Sequence, residues 1–260
     1  ATATMALGLD PRFDLSQAYW MVAGIAGIDP EDASIGSVAW SSYLVDGDLG
    51  HEIDAREMPE DWDTDFFARY TQFPYDPARP EPTGEMFRAN PALRDWAYEL
   101  TKNAPLVNPD TLAATSNLYT EHPNAQKPPF VLTGGHIAGM TFWHGALMND
   151  WANRWVRYWS DGATDFVTSA MEDTGTYQAL YYLDKIDKVD VDRFLVLRGG
   201  SNYTMQPPGV TAAENLLKEN DGYAGLQASL ENIYIVGSIV IDELLENWDQ
   251  HSATVPGSNE

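Results

Sequence analysis

Apolar and polar positions repeat along this chain with two periods. The run QAYWMVAGIAG, from Gln17 to Gly27, is apolar or small almost throughout, the pattern of a short buried strand, and its glycines predict a turn at the strand's end, before Pro30 and Glu31. The next stretch, SIGSVAWSSYLVDGDLGHEIDA, breaks into two alternating segments about Asp46-Gly47, which predicts an antiparallel hairpin inside a mixed sheet. Helical spacing takes over from Ala92 to Asn103, where Leu93, Trp96, Ala97 and Leu100 share a face and Pro105 ends the pattern. PPFVLTGGHIAGMTFWHG predicts a strand and a second glycine turn, and Met148 to Ser160 an amphipathic helix whose stripe of Trp151, Trp155 and Tyr158 or Trp159 belongs in a core. Phe166–Leu180 and Asp192–Asn202 each read as a β-branched and aromatic strand ending in polar residues or glycine, the first running on into a helix. Further helices are predicted over Ala1–Leu7, Thr211–Glu219 and Leu226–Trp248, the last with Leu226, Leu230, Ile233, Gly237, Val240 and Leu244 on one face. Without internal repeats, this succession predicts one α/β domain over residues 1–260.

Between Pro59 and Pro91 the pattern lapses into Pro, Asp, Glu and aromatic residues, which reads as a long solvated excursion anchored by its rings. Composition adds that 44% hydrophobic content with nine Trp, thirteen Tyr and nine Phe suffices for a large core. The formal charge of −24 repels phosphate backbones and anionic lipid surfaces, so nucleic acid and membrane partners are not expected. There is no cysteine, hence no disulfide, thiolate metal site or nucleophilic thiol. The longest apolar runs, near Tyr19–Ile28 and Ile233–Ile241, fall short of the roughly 18 residues of a membrane span. ATATMALGLD lacks the basic start and apolar stretch of a signal peptide.

Several chemistries are disfavoured by pattern. His51-Glu52-Ile53-Asp54-Ala55 puts Ala where a zinc protease needs its second histidine. His136 and His144, eight residues apart near glycines, read as hydrogen-bonded structure, so no metal is expected. Neither GxSxG nor GxxxxGK[ST] occurs, and Asp54, Arg56, Glu57 and Met58 read as a surface ion pair. Two polar residues at strand ends stand out, because α/β proteins place their chemistry there. Glu172 offers an ionised acceptor for sugar hydroxyls, or simply favours the start of a helix. Asn202 offers an amide that both donates and accepts, suited to a heterocyclic base; it also lies in the sequon Asn202-Tyr203-Thr204.

At these motifs the chain resembles the purine nucleoside permease family, which is related to the nucleoside phosphorylase superfamily. The likeness runs through MALGLDPRFDLSQAYWMVAGIAGIDPEDASIGSVAW, HEIDAREMP, TGGHIAGMTFWHG, MEDTGTYQAL and RGGSNYTMQPPG. It implies a three-layer α/β/α nucleoside-phosphorylase-like fold around a central mixed sheet. No span suits a literal permease, so the resemblance points to a cofactor-free, metal-free enzyme that cleaves nucleosides. By that resemblance Met171 packs under the ribose and Glu172 accepts from its hydroxyls, close to where an oxocarbenium-like transition state becomes positive. Asn202 takes the base-contacting position that many relatives fill with Asp, and Phe142, Trp143 and Tyr203 are candidates to stack on the base. Gly24, Ile25 and Gly27 lie on the nucleophile side. Phosphorolytic relatives commonly carry Arg and a hydroxyl residue where this chain has Val22 and Ile25, so water is the expected nucleophile and hydrolysis the expected reaction.

The resemblance also implies that a first strand and a Glu-rich loop, bearing the water-activating residue, lie outside this chain. A companion polypeptide carrying that strand, a homo-oligomer, and a secreted or cell-envelope location are the corresponding expectations. Two other functions are compatible with the same residues: a catalytically idle purine nucleoside binding protein serving uptake, which Asn202 in place of an acid would suit, and a phosphorylase with a different anion site.

Overall fold

The structure is a computed structural model that describes residues 1–258. The chain opens with helix α1 (Thr2–Gly8), the long strand β1 (Trp20–Ile28), the short strands β2 (Val38–Ser41) and β3 (Tyr43–Asp46), and a ribbon of β4 (His51–Glu52) with β5 (Phe66–Phe67). Strand β6 (Met86–Arg88) precedes helices α2 (Pro91–Thr101) and α3 (Asp110–Ser116). Strands β7 (Val131–Thr133) and β8 (Gly135–Ala138) lead to α4 (Ala146–Trp159), β9 (Phe166–Ala170) and α5 (Asp173–Asp184). Strand β10 (Phe194–Tyr203) and helices α6 (Ala212–Lys218), α7 (Leu226–Glu246) and α8 (Trp248–Ala253) complete the order.

Eight strands form one mixed sheet in the order β6-β3-β8-β9-β1-β10-β2-β7. Side chains of β10 alternate between its faces: Leu195 and Leu197 pack against Leu93 and Ala97 of α2 and Val236 and Val240 of α7, whereas Phe194 and Val196 pack against Tyr177, Leu180 and Leu183 of α5. Helix α4 brings Trp151, Trp155 and Trp159 onto Val45, Ile137 and Phe166, so the tryptophan stripe is core, as its spacing predicts. Helices on both faces of a mixed sheet make the expected three-layer α/β/α arrangement. The predicted helices from Ala92, Met148, Thr211 and Leu226 all form, within a few residues at each end.

Five expectations are corrected. Gly24-Ile25-Ala26-Gly27 is not a turn but the second half of β1, which pairs in parallel with β10 from Trp20 opposite Phe194 to Ile28 opposite Tyr203. Asp46-Gly47 does not close a hairpin: β2 pairs with β10 and β7, while β3 pairs with β8 and, across the excursion, with β6. Every residue of β2 is buried because both sheet faces are covered, so its apparent alternation carried no pairing information. Asp46 instead accepts the backbone N–H groups of Asp48 and Leu49, turning the chain toward β4. The single strand expected around Val131 is two, β7 and β8, in different halves of the sheet and separated at Gly134. The Pro59–Pro91 excursion contributes β5 and the edge strand β6. On α7, Ile233, Gly237, Val240 and Leu244 are buried, but Leu226 and Leu230 remain substantially exposed.

Candidate functional site

An arginine inside a strand otherwise written FLVL needs a counter-charge if it is buried. Arg198 is buried in β10, and its guanidinium reaches across β1 to the C-terminal end of β9. The residue it crosses is Gly24, directly opposite it; a Cβ there would lie 2.6 Å from Arg198 Nη1. The missing side chain is therefore what opens the path. Across it, Arg198 Nε and Nη2 donate to both carboxylate oxygens of Asp173, at 3.1 and 2.6 Å, while Nη2 also donates to Glu172 at 2.6 Å and Nη1 to the Ile25 carbonyl at 3.2 Å.

The chain of contacts continues away from solvent. His136 of β8 donates from Nε2 to Asp173 at 2.8 Å, and its Nδ1 accepts from the Thr168 hydroxyl at 2.9 Å, the tautomer that satisfies both partners. His136, Asp173 and Thr168 are fully buried. Burial alone would raise the Asp173 carboxyl, but His136 and Arg198 outweigh it and hold the group well below the usual carboxylate range. Glu172 ends the chain at the surface, its side chain 64% exposed, so it is fixed by Arg198 on one side and open to a ligand on the other. Met171 beside it is 41% exposed.

Three residues beyond Gly24 along β1, about 10 Å at strand rise, is Gly27, and Asn202 of β10 lies opposite it. A register shift after Ala26 leaves Ser201 without a partner on β1 and sets Asn202 opposite Gly27. The Asn202 amide accepts from the Ser201 hydroxyl at 3.0 Å and donates to the Tyr203 carbonyl at 3.3 Å and to Glu219 at 3.4 Å. A small cavity lined by Gly27, Ser169, Met171, Phe142 and Thr204 adjoins it on the Met171 side. A second cavity, of about 180 Å³, opens on its other side between Tyr119, Leu118, Tyr223 and Glu219.

The expected site residues thus separate into groups. Met171, Gly27, Asn202, Phe142 and Trp143 line one small cavity, and Glu172 stands beside it on the next residue after Met171. Phe142 is 44% exposed and stacks in parallel with Tyr223. Trp143 also packs edge-on against Trp151 of α4. Tyr203 is 2% exposed, its ring 4.0 Å from that of Tyr119 and its hydroxyl donating to the Ala125 carbonyl, so it forms a cavity wall from within the core. Ile25 and Val22 point to opposite faces of the sheet, Ile25 onto the α2 and α7 core and Val22 onto the α5 core. Arg198, Asp173, His136 and Glu219 were not among the site residues read from sequence. The signal for Arg198 was its charge in the middle of an apolar strand, and for Asp173 its place immediately after Glu172; Glu219 gave none, since it is one acid in an acidic tract.

No group of three or more His, Asp or Glu among the described residues is arranged to hold a metal ion. No single helix among them is long and apolar enough to cross a membrane; one bent pair, Ala212–Asp221 with Leu226–Glu246, reaches that length and composition only when taken together.

A family model described as purine nucleoside permease matches residues 1–256. The purine nucleoside permease of Candida albicans is 31% identical over 255 residues, covering 96% of this chain and 62% of that protein. A probable purine nucleoside permease of Schizosaccharomyces pombe is 30% identical over 257 residues, covering 95% of this chain and 73% of that protein. The chain therefore spans less than two thirds of the length of the Candida relative. Among solved structures, a 5'-methylthioadenosine/S-adenosylhomocysteine nucleosidase from Neisseria meningitidis is similar with a TM-score of 0.48 at 14% identity, covering 93% of this chain and 75% of that one.

Proposed function

The chain belongs to the purine nucleoside permease family, and we propose that it binds a purine nucleoside and hydrolyses its N-glycosidic bond to free base and ribose. The observation that carries this is an anchored but exposed carboxylate, Glu172, beside a small recess at Met171, Gly27 and Asn202, with Asn202 also lining the 180 Å³ polar and aromatic cavity that would take the base. Glu172, held by Arg198, accepts hydrogen bonds from two ribose hydroxyls. Met171 packs against the sugar, and the base extends along β1 toward Gly27 and Asn202. As the C1'–N9 bond lengthens, positive charge develops on the sugar ring next to Glu172, whose position is set before the reaction begins.

Water is favoured over phosphate as the nucleophile. Arg198 already donates to two carboxylates and a carbonyl, leaving it little capacity for an anion, and the Val22 and Ile25 side chains are packed into cores. One observation favours a second reading, a nucleoside binding protein that serves uptake: the Asn202 amide cannot supply a net proton to a departing base.

Incubating the protein with inosine, adenosine and guanosine, with and without phosphate, and separating the products by chromatography tests the proposal. Free base with ribose, independent of phosphate, is the expected outcome. Ribose 1-phosphate formed only with phosphate would replace hydrolysis by phosphorolysis, and intact nucleoside that co-elutes with the protein would support the binding role.

A further inference from the structure

Asn202 leaves open where a departing purine obtains its proton, and one of the groups its amide donates to is a carboxylic acid. Glu219 follows α6, and its Oε2 lies 3.4 Å from Asn202 Nδ2. Its side chain is 14% exposed, and it lines the 180 Å³ cavity with Asn202, Tyr119, Tyr203 and Tyr223. A second buried group is aimed at the same carboxyl. His144, in the segment after β8, has a fully buried side chain, with Nε2 accepting from Asn215 at 3.2 Å. That contact assigns the ring proton to Nδ1, which has no hydrogen-bond partner and lies 4.0 Å from Glu219 Oε1.

Building on the nucleosidase reading above, we propose that Glu219 is the general acid of this site, delivering its carboxyl proton to a ring nitrogen of the purine while the Asn202 amide orients the base. The C1'–N9 bond breaks with its electron pair moving onto the purine, which accepts the proton and leaves as the neutral base. Water adds to C1' and releases a proton to solvent, and the Glu219 carboxylate takes a proton back from solvent, so the sum is nucleoside plus water giving base plus ribose.

The surroundings leave a large share of this carboxyl protonated near neutrality. Burial pushes Glu219 up to about 7, with the Asn202 amide pulling in the opposite direction. Burial lowers His144 from its ordinary value, so the ring adds no formal charge beside Glu219 near neutral pH. The other titratable groups at the cavity are Lys218, Asp221 and Tyr223 on the same segment, Tyr119 after α3 and Tyr203 of β10. A carboxyl that titrates near 7 is matched to acid catalysis at that pH.

The test compares wild type with Glu219→Gln on inosine and on 4-nitrophenyl riboside, whose leaving group departs without a proton. Glu219→Gln is expected to lower kcat/KM for inosine by roughly 10²–10⁴-fold, to lose far less on the nitrophenyl substrate, and to remove the fall in wild-type inosine cleavage as pH rises through about 7. Equal losses on both substrates, or an unchanged rate and pH profile on inosine, would overturn the proposal. Calorimetric binding of hypoxanthine reads the same contact without turnover. Wild-type affinity should weaken about tenfold per pH unit above 7, and Glu219→Gln should abolish that dependence. Binding independent of pH in wild type would sink the role of Glu219 even in a protein that cleaves no nucleoside. Failure of wild type to cleave either substrate, with the pH-dependent binding intact, would instead fault the nucleosidase reading and retain Glu219 as a base contact.

Discussion

At the end of β9 two adjacent carboxylates share one guanidinium, and burial divides their tasks. Glu172 faces solvent, so Glu172→Gln should leave folding almost untouched while lowering kcat/KM for inosine by about 10- to 150-fold, the 1.5–3 kcal/mol of hydrogen bonds to a charged group. Steady-state kinetics beside a thermal melt separates the two effects, and a large fall in melting temperature would contradict this division. Asp173 is fully buried between Arg198 and His136. Asp173→Ala leaves that buried arginine with only the exposed Glu172 as counter-charge, and leaves His136 without its partner, and should cost about 3–5 kcal/mol in urea unfolding. Because the Asp173 carboxyl is held below its ordinary value, its contribution is fully present above the usual carboxylate range and is lost as pH falls through its lower folded value. The wild-type advantage over Asp173→Ala should therefore shrink in acid. Glu172, Met171 and Asn202 could be read from sequence because they sit at strand ends within motifs. Their partners could not, because Arg198, Asp173 and His136 meet only after four strands, β8, β9, β1 and β10, have paired.

Strand β1 shows how an element positions a site without contributing a functional side chain. It is the central neighbour of both β9 and β10, and its glycines allow groups from the flanking strands to meet over it. Gly24→Ala should force the Arg198 guanidinium aside and loosen Glu172. The expected result is a loss of activity approaching that of Glu172→Gln, with a crystal structure showing the Arg198–Glu172 contact lengthened or broken. Activity equal to wild type would mean that this contact does not position the carboxylate. Local pattern identified the helices apart from the short α3 and α8, since their periodicity and stop signals lie within one segment. It failed for β2, β3 and β6, whose pairing depends on partners distant in sequence, and it mistook glycines needed for close approach in β1 for turn residues. Pattern alone reads a glycine as a break, whereas here it marks the crossing point of a buried arginine.

For the whole molecule the dominant feature is the net charge of −24, which sets carboxylates against one another even where the fold buries them. Asp32 is the clearest case: burial, then the nearby Asp29, Asp165 and Glu31 carboxylates, push it up to about 7, with Arg157 opposing. A raised carboxyl supports the fold below its unfolded value, and that support is lost as pH rises through about 7. Asp32→Asn should therefore melt higher than wild type at pH 8 and near wild type at pH 4; a constant difference across that range would assign the effect to packing. On the proposed reading the same acidity would repel anionic partners and would not oppose entry of an uncharged nucleoside. The most direct measurement of the central claim is inosine cleavage in ¹⁸O-labelled water with phosphate present, followed by mass analysis of the sugar. Ribose carrying the label at C1, accompanied by free hypoxanthine, is the predicted result. Unlabelled ribose 1-phosphate, or inosine recovered intact, would contradict it.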